Sequence, residues 1–337
     1  MSDFKLAQPG PSMSRRTFLV SATAAAVATT VLRLGAAEAQ VIDPRPPTVD
    51  PTNLVEVADG VWVIRDHRTW LVPNIGIILG KDAALVVDTG LGPANGERVL
   101  ALARRLAGPS RRIYLTVTHF HPEHGYGAQV FRPDATILYN RAQRDELAEK
   151  GARYLDLFRT TQGKTAVEAL TDTQIVLPHF VYDGASAELD LGGRKVELRT
   201  WGLAHTRGDQ VVWLPQERIL FAGDLIEERM FPIFPWFPPA DKEIDGARWV
   251  RILQGFQSLH LALIVPGHGD PGPISIALSL AAHIEETARQ VQALRRAGVN
   301  PANILAQCKP RLVASRPTWE HAALLDLEIG YYSSLKS

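Results

Sequence analysis

The spacing of apolar and polar positions predicts a chain of short strands punctuated by a few amphipathic helices. Apolar runs at 55–57, 61–65, 74–79 and 84–87 have strand length, and Asp59-Gly60 and Gly80-Lys81-Asp82 supply turns between them. A helix follows, with Val99, Leu102, Ala103 and Leu106 on one face, and a further strand runs from Ile113 to Val117. Residues 140–171 read as amphipathic helix, with Leu147, Tyr154, Leu155 and Phe158 as inner positions. Strands return at 174–182, 187–191, 195–201, 210–214 and 218–222. A helix is predicted from Ile244 to Leu259, a strand from Ala262 to Val265, and closing helices at 274–297 and 318–334. No internal repeat of solenoid period is present.

Several of these strands end in residues that bind metals. The strand 113–117 delivers Thr118-His119-Phe120-His121-Pro122-Glu123-His124-Gly125. If 119–121 are extended, His119 and His121 point to one side. Pro122 has no N–H to lose at the first position of a helix, so Glu123 and His124 fall in a first helical turn and project sideways from that pair. The stretch therefore offers two neighbouring ligand sets. Three later strands repeat the pattern, leading to His205, to Gly223-Asp224, and to Pro266-Gly267-His268-Gly269. Singly, each of these is an ordinary turn residue or helix cap. Jointly they describe ligands on the rim of a rigid scaffold.

This order resembles the metallo-β-lactamase superfamily: His-x-His-x-carboxylate-His, a histidine in a His-Thr-x-Gly-Asp setting, Gly-Asp, then Pro-Gly-His-Gly. It runs from about Asn53 to Asp270 and uses five of the ten histidines. The resemblance implies an α+β fold, a four-layer αβ/βα sandwich with two mixed sheets and a metal site at one edge. It implies His119, His121 and His205 around a first metal, and Glu123, His124 and His268 around a second. Asp224 would bridge the two, and Asp88 would support the site through hydrogen bonds. The family pattern has Asp where this chain has Glu123, so occupancy of the second site turns on that longer carboxylate, as ligand or as outer base. With Asp at 224, the site looks more like the hydrolase branch of thioesterases and lactonases than the best-known zinc β-lactamases.

Neutral imidazoles with carboxylates suit Zn²⁺, two per chain, ahead of Fe or Mn. The implied chemistry is metal-hydroxide hydrolysis of an ester, thioester, lactone or amide bond, β-lactams among the amides, with Glu123 and Asp224 as its catalytic carboxylates. Other readings are an iron-dependent oxidation of the persulfide dioxygenase kind, a nuclease, and a metal-binding accessory protein with little turnover. Aromatic residues near the motifs suggest a small-molecule substrate with an apolar portion: Trp70 beside Leu71, Tyr126, the segment 140–171 and the loop 230–239. Arg229 is a candidate partner for a substrate carboxylate.

Composition refines this picture. Of 337 residues, 46% are hydrophobic and 21% charged, which is ordinary for a globular chain. The formal charge is zero, or −2 without residues 1–39, which argues against nucleic acid and anionic membrane as partners. The single cysteine, Cys308, excludes an intrachain disulfide and reads as a small buried hydrophobe. Residues 1–39 read as a targeting signal: Arg15-Arg16-Thr17-Phe18-Leu19, an apolar run to Leu32, and Ala37-Glu38-Ala39 before Gln40. The arginine pair resembles a twin-arginine signal, which implies the twin-arginine export machinery as partner, a periplasmic or secreted protein, and no membrane span after cleavage. An ordinary secretory signal and an uncleaved anchor are the other readings. Residues 40–53 read as a proline-rich linker, and 54–337 as one hydrolase domain with C-terminal helices.

Overall fold

The computed structural model describes residues 44–238 and 241–335, so the targeting signal expected at 1–39 lies outside the described residues. The first sheet holds β1 (Leu54–Ala58), β2 (Val61–Ile64), β3 (Ile75–Leu79), β4 (Ala83–Val87), β5 (Arg112–Thr116), β6 (Ala135–Asn140) and β7 (Phe180–Tyr182), side by side in that order. The first four are antiparallel neighbours, and β4 to β7 are parallel. Parallel neighbours need crossovers. These carry helices α1 (Pro93–Ala107), α2 (Pro122–Gly125), α3 (Arg141–Thr161) and α4 (Lys164–Ala169). The second sheet runs β12-β11-β10-β9-β8, from β8 (Ser186–Asp190), β9 (Lys195–Arg199), β10 (Val211–Leu214), β11 (Ile219–Glu227) and β12 (Leu263–His268). Its one parallel pair, β11 with β12, is bridged by α5 (Gly246–Gly255). The chain closes with α6 (Ser275–Arg296), α7 (Pro301–Ser315) and α8 (Leu325–Ser334).

Side-chain alternation along the strands makes the layers. In β4, Ala83, Leu85 and Val87 join Val61, Val63 and Ile78 in one cluster with Leu198, Val212, Leu214, Phe221 and Val265 of the second sheet. That cluster is the inter-sheet core. The intervening Ala84 and Val86 pack in another cluster with Val99, Leu102 and Ala103 of α1. The outer face of the second sheet is covered in the same way: Leu220, Ala222 and Ile264 pack among Trp249, Leu253, Leu280 and Ile284 of α5 and α6. Two sheets face to face with helices outside are the sandwich that the resemblance implies. At Gly76 in β3 the sheets come so close that a Cβ would lie 2.6 Å from the Phe221 ring.

Four differences from the strand-and-helix expectation have physical causes. Residues 173–178 are not strand, and only Phe180–Tyr182 pairs, with β6. The expected helix over 140–171 is two helices broken at Gln162-Gly163. β11 does not stop at Ala222 but continues through Asp224 to Glu227, with register shifts against β12 on the way. The helix α7 was not expected, because Pro310 inside it reads as a breaker. Its start is nonetheless conventional, with Pro301 in the first turn and Asn300 Oδ1 accepting from Asn303 N–H at 3.0 Å. Cys308 lies in α7 and is buried. In the proline-rich stretch, Val49 joins the core. Its N–H donates to Asn95 Oδ1 at 2.9 Å, and Asn95 Nδ2 donates to the Pro47 carbonyl at 2.7 Å. No helix among the described residues is long and apolar enough to cross a membrane.

Candidate metal centre

Pro122 opens α2 directly after His121, whose backbone is extended (φ −60°, ψ 149°). The turn throws His119 and His121 one way and Glu123 and His124 another, as the spacing requires. The first pair meets His205, from the loop between β9 and β10, and Asp224 of β11. The second pair meets the same Asp224 and His268, the last residue of β12. In each group of four the ligand-type atoms all lie within 4.8 Å of one another, and every residue is buried. Asp224 stands between the groups. Its Oδ1 faces His124 Nε2 at 3.2 Å, and its Oδ2 lies 3.7 Å from the Nε2 atoms of both His119 and His268. Gly267 makes the room for it, since a Cβ there would fall 1.9 Å from Asp224 Oδ1.

The outer bonds aim the rings inward. His124 Nδ1 is 2.9 Å from Asp88 Oδ2, and the other oxygen of Asp88 accepts the Thr118 N–H at 2.7 Å. His205 Nδ1–H donates to the Ile233 carbonyl at 3.1 Å, which fixes the tautomer and leaves Nε2 bare, 3.2 Å from His121 Nδ1. Asp209 accepts the backbone N–H groups of His205 and Thr206 and the Thr206 hydroxyl, so it builds the loop that presents His205. Asp66 accepts the Gly269 N–H at 2.7 Å beside His268.

With the outer atoms committed, the inner ones are orphaned. His119 Nε2, His124 Nε2, both oxygens of Glu123 and both of Asp224 are buried without a hydrogen-bond partner. Buried polar atoms in this state are costly, and six of them converging on two small volumes fit a pair of cations. The electrostatics agree. Burial, then the neighbouring imidazoles, holds His119 and His121 well below the ordinary histidine range, and burial takes His205 down to about 4. These rings are neutral donors. Burial pushes Glu123 up to about 8, with Asp224 adding repulsion. Although burial opposes it, His124 and His268 hold Asp224 below the usual carboxylate range. Burial also opposes the charged form of His124, but Asp224 and Asp88 hold it well above its ordinary value.

A model of the metallo-β-lactamase superfamily matches residues 68–268, more than half of the chain. The chain belongs to the metallo-β-lactamase superfamily. It is 28% identical over 194 residues to a β-lactamase-like protein 2 homolog of Caenorhabditis elegans, covering 57% of this chain and 54% of that protein. It is 24% identical over 208 residues to a type 2 metallo-β-lactamase of Bacillus cereus, covering 61% and 71%. This superfamily member spans about half the length of the C. elegans relative. Among solved structures, the DIM-1 metallo-β-lactamase superposes with a TM-score of 0.54 at 18% identity over 71% of this chain and 97% of that one. The sec-alkylsulfatase Pisa1 from Pseudomonas sp. superposes with a TM-score of 0.63 at 15% identity over 84% and 50%. These likenesses establish the fold.

The structure brings all seven ligand-type residues and Asp88 together. Around them, the residues suggested as pocket walls are packed into a roof. Tyr154 of α3 stacks on His121 with ring centroids 5.4 Å apart, and Trp236 meets His121 edge-on at 5.3 Å. Trp70 is buried against Trp236 and His321, and its indole N–H donates to Gln162 Oε1. Tyr126 does not face the centre, because its hydroxyl donates to the Gly151 carbonyl and ties α3 to the motif. Arg229 is engaged by Glu228 at 2.8 Å and Asp270 at 2.9 Å. A narrow cleft lined by Trp70, Met230, His268 and His321 opens beside the second cluster.

Glu227 escaped the sequence reading. It is buried near the centre, with burial and then Asp224 pushing its carboxyl well above the usual range. A strict strand period gives no reason to pair it with Asp224, three residues earlier. The shifts in β11 between Gly223 and Glu227 change that orientation. The signal available was two carboxylates inside one apolar run.

Proposed function

We propose that this chain is an exported zinc hydrolase that cleaves an ester, thioester, lactone or amide bond, β-lactams included, in a small molecule with an apolar portion. The observation that carries this reading is the set of orphaned inner atoms on His119, Glu123, His124 and Asp224. Imidazole and carboxylate donors at this density suit Zn²⁺. His119, His121 and His205 would hold one ion, Glu123, His124 and His268 the other, and Asp224 both. When bound, such a pair supplies Lewis acidity and lowers the pKa of water to about 7.

The chain's own residues supply the rest. Asp88 and the Ile233 carbonyl lock the tautomers of His124 and His205, so the donor atoms need no reorganisation. Tyr154 and Trp236 cover His121 and exclude bulk water from the first cluster, and Trp70 gives an apolar wall to the cleft beside the second. Without a cation, burial raises the Glu123 carboxyl to about 8, so as a ligand of the second ion it would give up its proton on binding. His121→Ala tests the reaction class. Turnover of activated esters or lactams is expected to fall by more than ~100-fold, since even outer-shell changes cost 10- to 100-fold. Unchanged turnover would refute the assignment.

Export rests on Arg15-Arg16 and the apolar run that follows. Changing both arginines to lysine is expected to leave the precursor inside the cell, as read by fractionation. Export at the normal level would remove the twin-arginine proposal and leave the hydrolase reading intact.

A further inference from the structure

We propose that Glu227 is the positioning residue for the His205 side of the metal centre, acting through residue 233. The carboxylate of Glu227 pins the Ile233 N–H, and the Ile233 carbonyl pins the ring of His205. This rests on the reading that His119, His121 and His205 hold an ion.

Glu227 is the last residue of β11 and is buried. Both of its oxygens accept from the Ile233 N–H, at 3.1 and 3.3 Å. Ile233 then accepts the Nδ1–H of His205 at 3.1 Å. One residue thus carries a bond on each side, and its position sets the aim of His205 Nε2 toward His121. The neighbouring sequence leaves few substitutes. Pro232 and Pro235 have no N–H, and the Phe234 N–H is used locally by the Pro232 carbonyl. Upstream, the Phe231 N–H goes to the Glu320 carbonyl, and the Arg229 carbonyl accepts from Glu320. Those bonds tie the loop to the C-terminal segment and leave its tilt at residue 233 to Glu227. No arginine or lysine pairs with Glu227 among the described residues, so this buried carboxyl is held by the Ile233 N–H and not by an ion pair. A loop anchor explains its reach. A charge serving the other cluster is the rival explanation, because Glu227 pairs with His268 in the β11–β12 register.

Two near-isosteric variants separate geometry from charge. Glu227→Gln cannot ionise but keeps a side-chain oxygen for the Ile233 N–H. Glu227→Asp keeps an ionisable carboxyl but withdraws both oxygens by one methylene. Each is titrated with Co²⁺ against a competing chelator, with ion affinities and the visible absorption bands recorded beside His205→Ala and His268→Ala. Positioning predicts that Glu227→Asp weakens one of two ions by ~10- to 100-fold with a spectrum shifted as in His205→Ala, while Glu227→Gln stays within a few-fold of wild type. Loss in Glu227→Gln with Glu227→Asp retained, or a spectrum like that of His268→Ala, would overturn the role in favour of charge. Wild-type affinities in both variants would also overturn it. Two bound ions in wild type with no effect of either variant sinks this inference alone. A wild-type chain that binds no Co²⁺ sinks the metal reading beneath it.

Discussion

The two halves of the centre share one motif and one aspartate, yet they are built differently. The His119–His121–His205 half is made of rings that burial keeps neutral, and a backbone carbonyl orients its distal member. The Glu123–His124–His268 half is crowded with carboxylates: Glu123 itself, Asp224, Asp88 on His124, and Asp66 within 4.0 Å of His268. The first half is a neutral cradle. The second gathers buried carboxyls whose ionisation low dielectric makes costly unless a cation is present. A cation therefore matters more to the folded energy of the second half, and ring aim matters more to the first.

The sharpest way to break this division is to remove what the halves share. Asp224→Ala is expected to lower the affinity of both ions and to reduce turnover by at least ~10³-fold, more than a change in either half alone. Metal analysis and kinetics on one preparation would check it. Loss of a single ion would show that Asp224 serves one side only.

A smaller effect sharpens the charge difference. Burial raises Glu123 from its ordinary 4.5 to about 8, so the metal-free folded chain keeps a proton that the unfolded chain has lost. That stability is full below pH 4.5 and disappears as pH rises through about 8. His205, depressed from 6.5 to about 4, acts in the opposite sense below 6.5, so the window from 6.5 to 8 isolates the raised groups. In that window the chelated protein is expected to lose stability with rising pH, and Glu123→Gln to remove about 2 kcal/mol of the loss. Urea denaturation at both pH values measures this. An unchanged slope in Glu123→Gln would show that the charge is balanced elsewhere.

Much of this was legible in the sequence, for a physical reason. The strand–Pro–helix turn at 117–125 is local, so residue spacing alone separates His119 and His121 from Glu123 and His124. His205, Asp224 and His268 became legible only as a set, because each follows an apolar run and none is distinctive alone. Asp88 was recognised by resemblance, and its bond to His124 comes from packing of β4 against β5. What stayed hidden depends on tertiary contacts. The register shifts of β11 turn Glu227 toward the loop at Ile233, and no period in the sequence reports a shift. The helix α7 was obscured by Pro310, and docking of Val49 depends on Asn95, which lies 46 residues away.

The smallest expected effect lies outside both halves. Arg229 was a candidate for holding a substrate carboxylate, but it is half exposed and engaged by Glu228 and Asp270. Arg229→Ala is expected to change stability by less than ~1 kcal/mol and leave KM within about two-fold, as for surface ion pairs in general. A large rise in KM for anionic substrates alone would restore its binding role.

The central claim is that two buried ligand sets form one dinuclear centre. Counting metal ions per folded chain tests it most directly, in wild type purified without chelator and reloaded with Zn²⁺ after stripping. The account predicts two ions per chain with hydrolysis returning on reloading. One ion or none, with hydrolysis indifferent to the chelator, would contradict it.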